Sequence, residues 1–299
     1  MHIRDILVSA KPSLSFEFYP PKAAPAWEEL YETIRDLETL SPSFVSVTYG
    51  AGGGTRELTH DLVLRIKQTT SIPPVPHLTC VGHTCEEIDA ILGRYAAAGV
   101  SNILALRGDP PKDQPGYDWS KGDFRQASDL VRHIRKFNES GKHPDPRGFG
   151  IGVAGFPEGH PATPNRVDEL DHMKAKVDAG ADYICTQLFF DNHDFFDYRD
   201  RCDLIGINVP IIAGIMPVTS ISSMKRMAEL AAGARYPGKL LKALDRASSR
   251  NDADAVERVG IHYAAQQCAE LLDHSVAGIH LYTLNKSHAT RQIYASLGL

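Results

Sequence analysis

At 299 residues, 42% hydrophobic and 23% charged, the chain is long enough to bury a large core and reads as a soluble enzyme. A formal charge of −5, a pI near 6.2 and the lack of any Lys/Arg block or acidic tail exclude a nucleic-acid-binding surface, so anionic ligands must be held by local groups. Before Lys11 the apolar run is Ile6-Leu7-Val8, too short for a signal sequence or a membrane span, and five cysteines do not suggest a disulfide framework, so a cytoplasmic protein without a membrane partner is expected.

A short entry helix over residues 2–12 leads into Ser13-Leu-Ser-Phe-Glu-Phe-Tyr-Pro-Pro-Lys22, which reads as a buried parallel strand stopped by Pro20 and Pro21. Strand alternation puts Phe16 and Phe18 on one face and Ser15 and Glu17 on the other. A carboxyl at such a strand end, poorly solvated, is expected to have a raised pKa and to donate a proton near neutral pH; pairing with a surface cation is the plainer alternative. Trp27, Leu30, Ile34 and Leu37 then recur at helical spacing. A second strand, Phe44–Tyr49, runs into Gly50-Ala-Gly-Gly-Gly54, and Thr55 is placed to cap the next helix, which carries Leu58, Leu62 and Ile66.

The unit repeats. Strands are expected at 75–79, 103–107, 150–156, 183–190, 210–216 and 278–284, with helices over 84–98, 127–137, 165–179 and 195–205 and two or three more within 221–273. Residues 111–148, rich in Asp, Pro, Gly and Lys, form a lid candidate. Eight strands alternating with helices predict an α/β fold, a closed (β/α)8 TIM barrel forming a single domain over 1–299. An open dinucleotide-binding sheet would carry a Gly-x-Gly-x-x-Gly turn after its first strand, where this chain has Pro-Pro.

A barrel gathers the C-terminal ends of its strands at one mouth. Those ends supply Glu17, Thr48, His77, Arg107 with Asp109, Ala154 with Phe156, Gln187, Met216 with Pro217, and Tyr282, a polar set suited to a polar, planar ligand. His77, Cys80, His83 and Cys85 have the chemistry of zinc ligands, but a strand residue and three turn residues would need a tight reversal to share one centre, so no metal is expected. Cys185 and Cys268 read as small core residues, and no Gly-x-Ser-x-Gly elbow is present.

Taken together, Ser15-Phe-Glu-Phe-Tyr-Pro-Pro-Lys22, Phe44-Val-Ser-Val-Thr-Tyr-Gly-Ala51, Pro76-His-Leu-Thr-Cys80, Ala105-Leu-Arg-Gly-Asp109, Thr186-Gln-Leu-Phe-Phe-Asp191 and Tyr282-Thr-Leu-Asn285 resemble the methylenetetrahydrofolate reductase family, in order from about residue 13 onward. The chain looks like the compact bacterial form, stopping soon after strand eight. The resemblance implies FAD in the mouth, NAD(P)H as electron donor, reduction of 5,10-methylenetetrahydrofolate to 5-methyltetrahydrofolate, and a homo-oligomer. It implies Glu17 as general acid, Asp109 as the acid beside flavin and pterin, and Gln187 as a pterin-binding amide. Around FAD it places Thr48, Tyr49, Ala51, His77, Arg107, Gly108, Ala127, Phe156, His160, Glu169, His172 and Lys176, and near folate Ser223, Met227, Tyr282 and Lys286.

Several positions depart from the family pattern: Phe156 for Tyr, Glu169 for Asp, His172 for Asn, Ala175 for Arg, Ser223 for Gln and Met227 for a stacking Phe. Without an Arg at 175, Lys174, Lys176 and the helix N-terminus must carry more of any phosphate charge. The residues fit the chemistry on their own terms, since a methylene bridge between two amines accepts hydride only after one nitrogen is protonated and leaves. Competing readings are a flavin-free pterin-binding methyltransferase barrel, a flavin barrel of the proline-dehydrogenase kind, and a non-catalytic folate-binding subunit.

Overall fold

The computed structural model describes residues 1–9, 11–49, 56–110, 116–163, 165–230, 234–249, 252 and 254–299. Strand and helix alternate as α1 (Ile3–Leu7), β1 (Ser13–Phe18), α2 (Pro25–Glu38), β2 (Phe44–Val47), α3 (Arg56–Thr69), β3 (Pro74–Thr79), α4 (Cys85–Ala97), β4 (Asn102–Leu106), α5 (Ala127–Glu139), β5 (Gly150–Gly155), α6 (Arg166–Asp178), β6 (Tyr183–Thr186) and α7 (Asn192–Leu204). The chain continues through β7 (Ile211–Ile215), α8 (Ile221–Leu230), α9 (Gly238–Ser248), α10 (Ala255–Asp273), β8 (Gly278–Tyr282) and α11 (His288–Ser296). All the strands pair in parallel with their sequence neighbours, and β1 pairs with β8, closing a (β/α)8 barrel as the sequence predicts.

Strand alternation sorts the core into two layers. Phe16, Phe18, Val45, Val47, Leu78, Ile103, Ala105, Ile151, Val153, Ile184, Ala213, Ile215, Ile279 and Leu281 face outward and are buried under the helices. Each such large side chain contributes roughly 1.5–3 kcal/mol by leaving water. The opposite phase fills the barrel interior. There Phe44, Val75, Leu104, Tyr183, Cys185 and Ile212 meet Ile3 and Leu7 of α1, which closes the N-terminal end. The Ile3 amide donates to Asn102 Oδ1 at 2.9 Å, and Asn102 Nδ2 donates to the Met1 carbonyl at 2.9 Å. Tyr183 lies against Gly152, where a Cβ would come 2.4 Å from its ring, so this β5 glycine makes room for the ring.

Several strands end earlier than the sequence suggests. Arg107 lies just beyond β4, and residues 187–190 leave β6 so that Phe189 joins the barrel–helix core while Leu188 and Phe190 pack beneath α8 and α9. The β6–β7 register holds only Ile184↔Ile211 and Cys185↔Ile212. Beyond it the Thr186 hydroxyl accepts from the Gly214 amide at 2.9 Å, and the Thr186 carbonyl accepts from Tyr282 Oη at 2.8 Å. The terminal helix α11, unassigned from sequence, packs on α10. Within the lid candidate, Tyr117 Oη accepts from the Gly82 amide at 3.1 Å and Asp123 accepts from the Cys85 amide at 2.8 Å, which pins that stretch to the β3–α4 turn. Among the described residues no helix is long and apolar enough to cross a membrane. The Gly50–Gly54 turn, Thr55 and residues 111–115 lie outside the described residues.

Candidate active site

Glu17 enters the mouth from β1 because Phe16 and Phe18 on either side are drawn into the outer core. Its polar neighbours are hydroxyls and imidazoles, where the sequence led to the expectation of a poorly solvated carboxyl. Ser46 Oγ lies 3.5 Å from Glu17 Oε2, His77 Nε2 3.5 Å and His280 Nε2 3.8 Å from the same oxygen. His280 is buried and held at both ring nitrogens, Nδ1 2.8 Å from Ser15 Oγ and Nε2 3.1 Å from Ser46 Oγ, and it stacks on Phe44. Burial pulls the His77 pKa below the usual imidazole value; the Glu17 charge opposes this, and His280 adds to the lowering. An acid with a hydroxyl and two imidazoles around it can be oriented and re-protonated in place.

Across the barrel, the loops after β4 and β5 and the inner face of α6 make a cationic rim. Arg107 lies over the Trp119 ring at 4.6 Å from its centroid. His160 meets Phe156 edge to face at 4.8 Å. The His160 pKa is lowered by burial first, then by Arg107, Lys176 and His172, with Asp109 opposing, so these charged groups converge on one place. Lys176 donates from Nζ to the Ala154 carbonyl at 2.7 Å, and burial brings its pKa down to about 8. Glu169 is buried with Oε1 lacking a hydrogen-bond partner among the described residues; burial raises its pKa, offset by Arg166 and the His160 amide. Asn165 caps α6 by accepting from the Val167 amide at 3.0 Å. Asp109 and His172 are exposed, and Ala127 is half-buried at the start of α5.

Gly108 has φ +84°, and a Cβ there would lie 2.6 Å from Val81 and 2.9 Å from Thr79. This glycine is demanded by its own turn and by the neighbouring β3–α4 connection, whatever sits in the mouth.

The remaining sequence-predicted positions divide by direction. Thr48, in phase with Ser46, is half-buried; its amide donates to the Phe18 carbonyl at 2.9 Å. Tyr49, in phase with Val47, sends its ring into the barrel–helix core, with Oη 3.2 Å from His83 Nε2. Gln187 is half-buried, and its Oε1 accepts from the Leu188 amide at 3.1 Å. The Ser223 hydroxyl is spent on the start of α8, accepting from the Ser220 amide at 3.0 Å and donating to the Ser220 carbonyl at 2.8 Å. Met227 is 2% exposed and packs with Leu188, Phe190, Met216 and Leu240, so it serves this cluster and not a stacking surface. Tyr282 is half-buried, its hydroxyl committed to Thr186, while Lys286 is exposed. Ala51 lies outside the described residues.

Beyond α8 the Arg235 amide donates to both Glu158 carboxylate oxygens at 3.0 and 3.1 Å, and its guanidinium reaches Asp194 at 2.5 Å. Burial pushes the Glu158 pKa up to about 7. The four zinc-type residues do not converge. Cys80 Sγ faces the Arg107 and Gln126 carbonyls, His83 binds Tyr49 and Glu87, and no group of three His, Cys, Asp or Glu among the described residues is placed to hold a metal. Sequence reasoning passed over His280, whose position two residues before Tyr282 in β8 was the available signal, and over Ser46.

Comparison with known proteins agrees with this fold. The family model for methylenetetrahydrofolate reductase matches residues 2–298. The 5,10-methylenetetrahydrofolate reductase of Escherichia coli is 36% identical over 292 residues, covering 98% of this chain and 93% of that protein. Methylenetetrahydrofolate reductase (NADH) 1 of Arabidopsis thaliana is 39% identical over 306 residues, covering 99% of this chain but 50% of that protein, so the chain spans about half the length of such plant relatives. A Clostridium thermocellum protein described as binding two copies of 5-methyl-5,6,7,8-tetrahydrofolic acid superposes with a TM-score of 0.64 at 15% identity, covering 99% of this chain and 96% of that one, a likeness of fold. With the barrel, the strand-end segments and a match over almost its whole length in agreement, the chain belongs to the methylenetetrahydrofolate reductase family.

Proposed function

We propose that the chain is a single catalytic barrel that reduces 5,10-methylenetetrahydrofolate to 5-methyltetrahydrofolate with NAD(P)H as donor and FAD as carrier, and that it works as a homo-oligomer. The observation that carries this reading is the pairing of one interior carboxyl, Glu17, with a cationic rim across the same mouth. The rim fits an anionic cofactor. A half-buried Lys176 ammonium with one protein acceptor and a Glu169 oxygen without a donor among the described residues suit a diphosphate and a hydroxyl-bearing ribose. Arg107, His160 and Lys176 would hold the diphosphate, Glu169 the sugar, and Thr48, the Tyr49 and Gly108 backbone, His77, Ala127, Phe156, His172 and Asp109 the remaining contacts.

FAD held by these residues would supply hydride chemistry between NAD(P)H and the folate methylene carbon. Glu17 gives its proton to the bridge nitrogen that leaves, and the N–C bond breaks with its electron pair going to that nitrogen. The remaining iminium carbon is then able to accept a hydride, which completes the methyl group, while the proton stays on the nitrogen that left. Asp109 places a negative charge beside the developing cation. Gln187 offers its amide to the pterin, and Tyr282 and Lys286 border the rest of the folate; Ser223 and Met227 support that wall from α8 without touching the ligand.

Purified protein should be yellow, should be bleached anaerobically by NADH or NADPH, and should regain its colour when 5,10-methylenetetrahydrofolate is added, forming 5-methyltetrahydrofolate in equal amount. Colourless protein that binds folate supports a flavin-free methyltransferase barrel; yellow protein that oxidises proline supports the dehydrogenase reading.

A further inference from the structure

The turn after β8 is built in a way the reaction alone does not explain. Leu284 and Asn285 are consecutive non-glycine residues at positive φ, 52° and 59°. The other non-glycine residues at positive φ among those described, Ser41 and Ser275, stand singly. Asn tolerates this conformation; Leu has no local means of offsetting its strain, so the surrounding structure must impose it.

The turn itself is closed by the Lys286 amide donating to the Thr283 carbonyl at 3.0 Å, and the contacts that tie it to β1 and α2 run through Asn285 and Thr283. Asn285 Oδ1 accepts from the Tyr19 amide at 3.0 Å and its Nδ2 donates to the Tyr19 carbonyl at 2.8 Å. Its own amide donates to Thr283 Oγ1 at 3.1 Å, and its carbonyl accepts from Thr33 Oγ1 of α2 at 3.3 Å. Thr283 Oγ1 in turn donates to the Glu17 carbonyl at 2.6 Å. The β1–β8 register ends at Glu17↔Tyr282, so beyond it the Asn285 carboxamide stands in for a peptide group and carries the pairing two residues further.

We propose that Asn285, working with Thr283, is a positioning residue that fixes the Glu17 backbone against Tyr282 and Lys286, and so sets the proton donor against the folate. Thr283 and Asn285 bracket Glu17, one bonded to its carbonyl and the other to both backbone groups of Tyr19. Arg107, His160 and Lys176 stand on the β4–β6 side, separated from this bracket by the width of the barrel. The bracket therefore acts on the folate half-reaction and leaves the nicotinamide half-reaction alone. This inference rests on the proposed reductase activity.

Asn285→Gly is the direct test, because glycine accepts φ 59° while losing both carboxamide bonds. Bound flavin should be bleached by NADH within about 3-fold of the wild-type rate, while its reoxidation by 5,10-methylenetetrahydrofolate should slow roughly 10- to 100-fold, as for a small misplacement of a reacting group. Asn285→Asp keeps the acceptor for the Tyr19 amide and loses the donor; it should fall between the two, and it carries the same split if the glycine variant does not fold. Folate reoxidation within about 3-fold of wild type, or equal slowing of both half-reactions, overturns the assignment. Wild-type protein that is bleached but never reoxidised by the folate overturns the reductase reading first, and this inference with it.

Discussion

The two sides of the barrel mouth are built on opposite plans. On the β8–β1–β2 side, Ser15, Ser46, His280 and Glu17 are strand residues of the inner layer, already bonded to one another. On the β4–β6 side, Arg107, His160 and Lys176 come from loops and a helix, repel one another, and include groups with unused donors. A satisfied network has little to gain from a ligand beyond holding one group in place, whereas a cluster of like charges is stabilised by an anion. In the proposed function the first side is the place for proton transfer and the second for binding a charged cofactor.

The largest effect should come from breaking the first side. Glu17→Gln preserves shape and removes the transferable proton, so the folate half-reaction should fall roughly 10²- to 10⁴-fold while bleaching by NADH stays near wild type. Stopped-flow absorbance of the two half-reactions reads the split directly, and a folate half-reaction within a few-fold of wild type would return Glu17 to a structural role.

Asp109 stands at the border between the sides, exposed and within reach of His160. Asp109→Asn should slow the folate half-reaction on the order of 10²-fold and the nicotinamide half-reaction less. Equal slowing of both would assign Asp109 to the cofactor side. Arg107→Ala should weaken FAD binding on the order of 10-fold, through loss of one charged donor, and leave the folate step of fully loaded protein almost unchanged. Fluorescence titration of apoprotein with FAD measures it, and unchanged affinity would detach the rim from the cofactor.

The smallest effect concerns stability. The Glu158 pKa is raised from 4.5 to about 7, so between these values the folded protein keeps a proton that the unfolded chain gives up. Its contribution is complete below pH 4.5 and is lost as pH rises through about 7. Glu158→Gln should remove a slope on the order of 2 kcal/mol from the urea-unfolding free energy across that window. An unaltered slope would show that Arg235 already holds Glu158 ionised.

The fold was legible because it rests on local signals: apolar strands, helical periodicity and proline stops recurring at regular intervals. Strand ends were less legible, since whether residue 187 stays on the ladder depends on where Phe189 and Phe190 find their cores. Glu17 could be found from alternation with its flanking phenylalanines. His280 shares the phase of Tyr282, which places it on the inner face, but Gly278-Ile-His-Leu-Tyr282 otherwise reads as an ordinary buried strand, and the role of its ring is set by Ser15 and Ser46, more than 200 positions away. Resemblance located Tyr49, Ser223 and Met227 but not their directions; alternation past β2, a helix start and an apolar cluster decide those.

Tyr282 carries one further consequence. Its hydroxyl crosses β7 to reach the Thr186 carbonyl, finishing the closure where the β6–β7 ladder is shortest. Swinging this phenol toward a ligand would strip that carbonyl of its partner, a cost on the order of 1 kcal/mol or more. The residue is therefore a rigid wall. Under the proposed function it would offer the folate the face of a ring but not a proton, so that selection at that wall is by shape and one side chain serves both the barrel's seam and its selectivity.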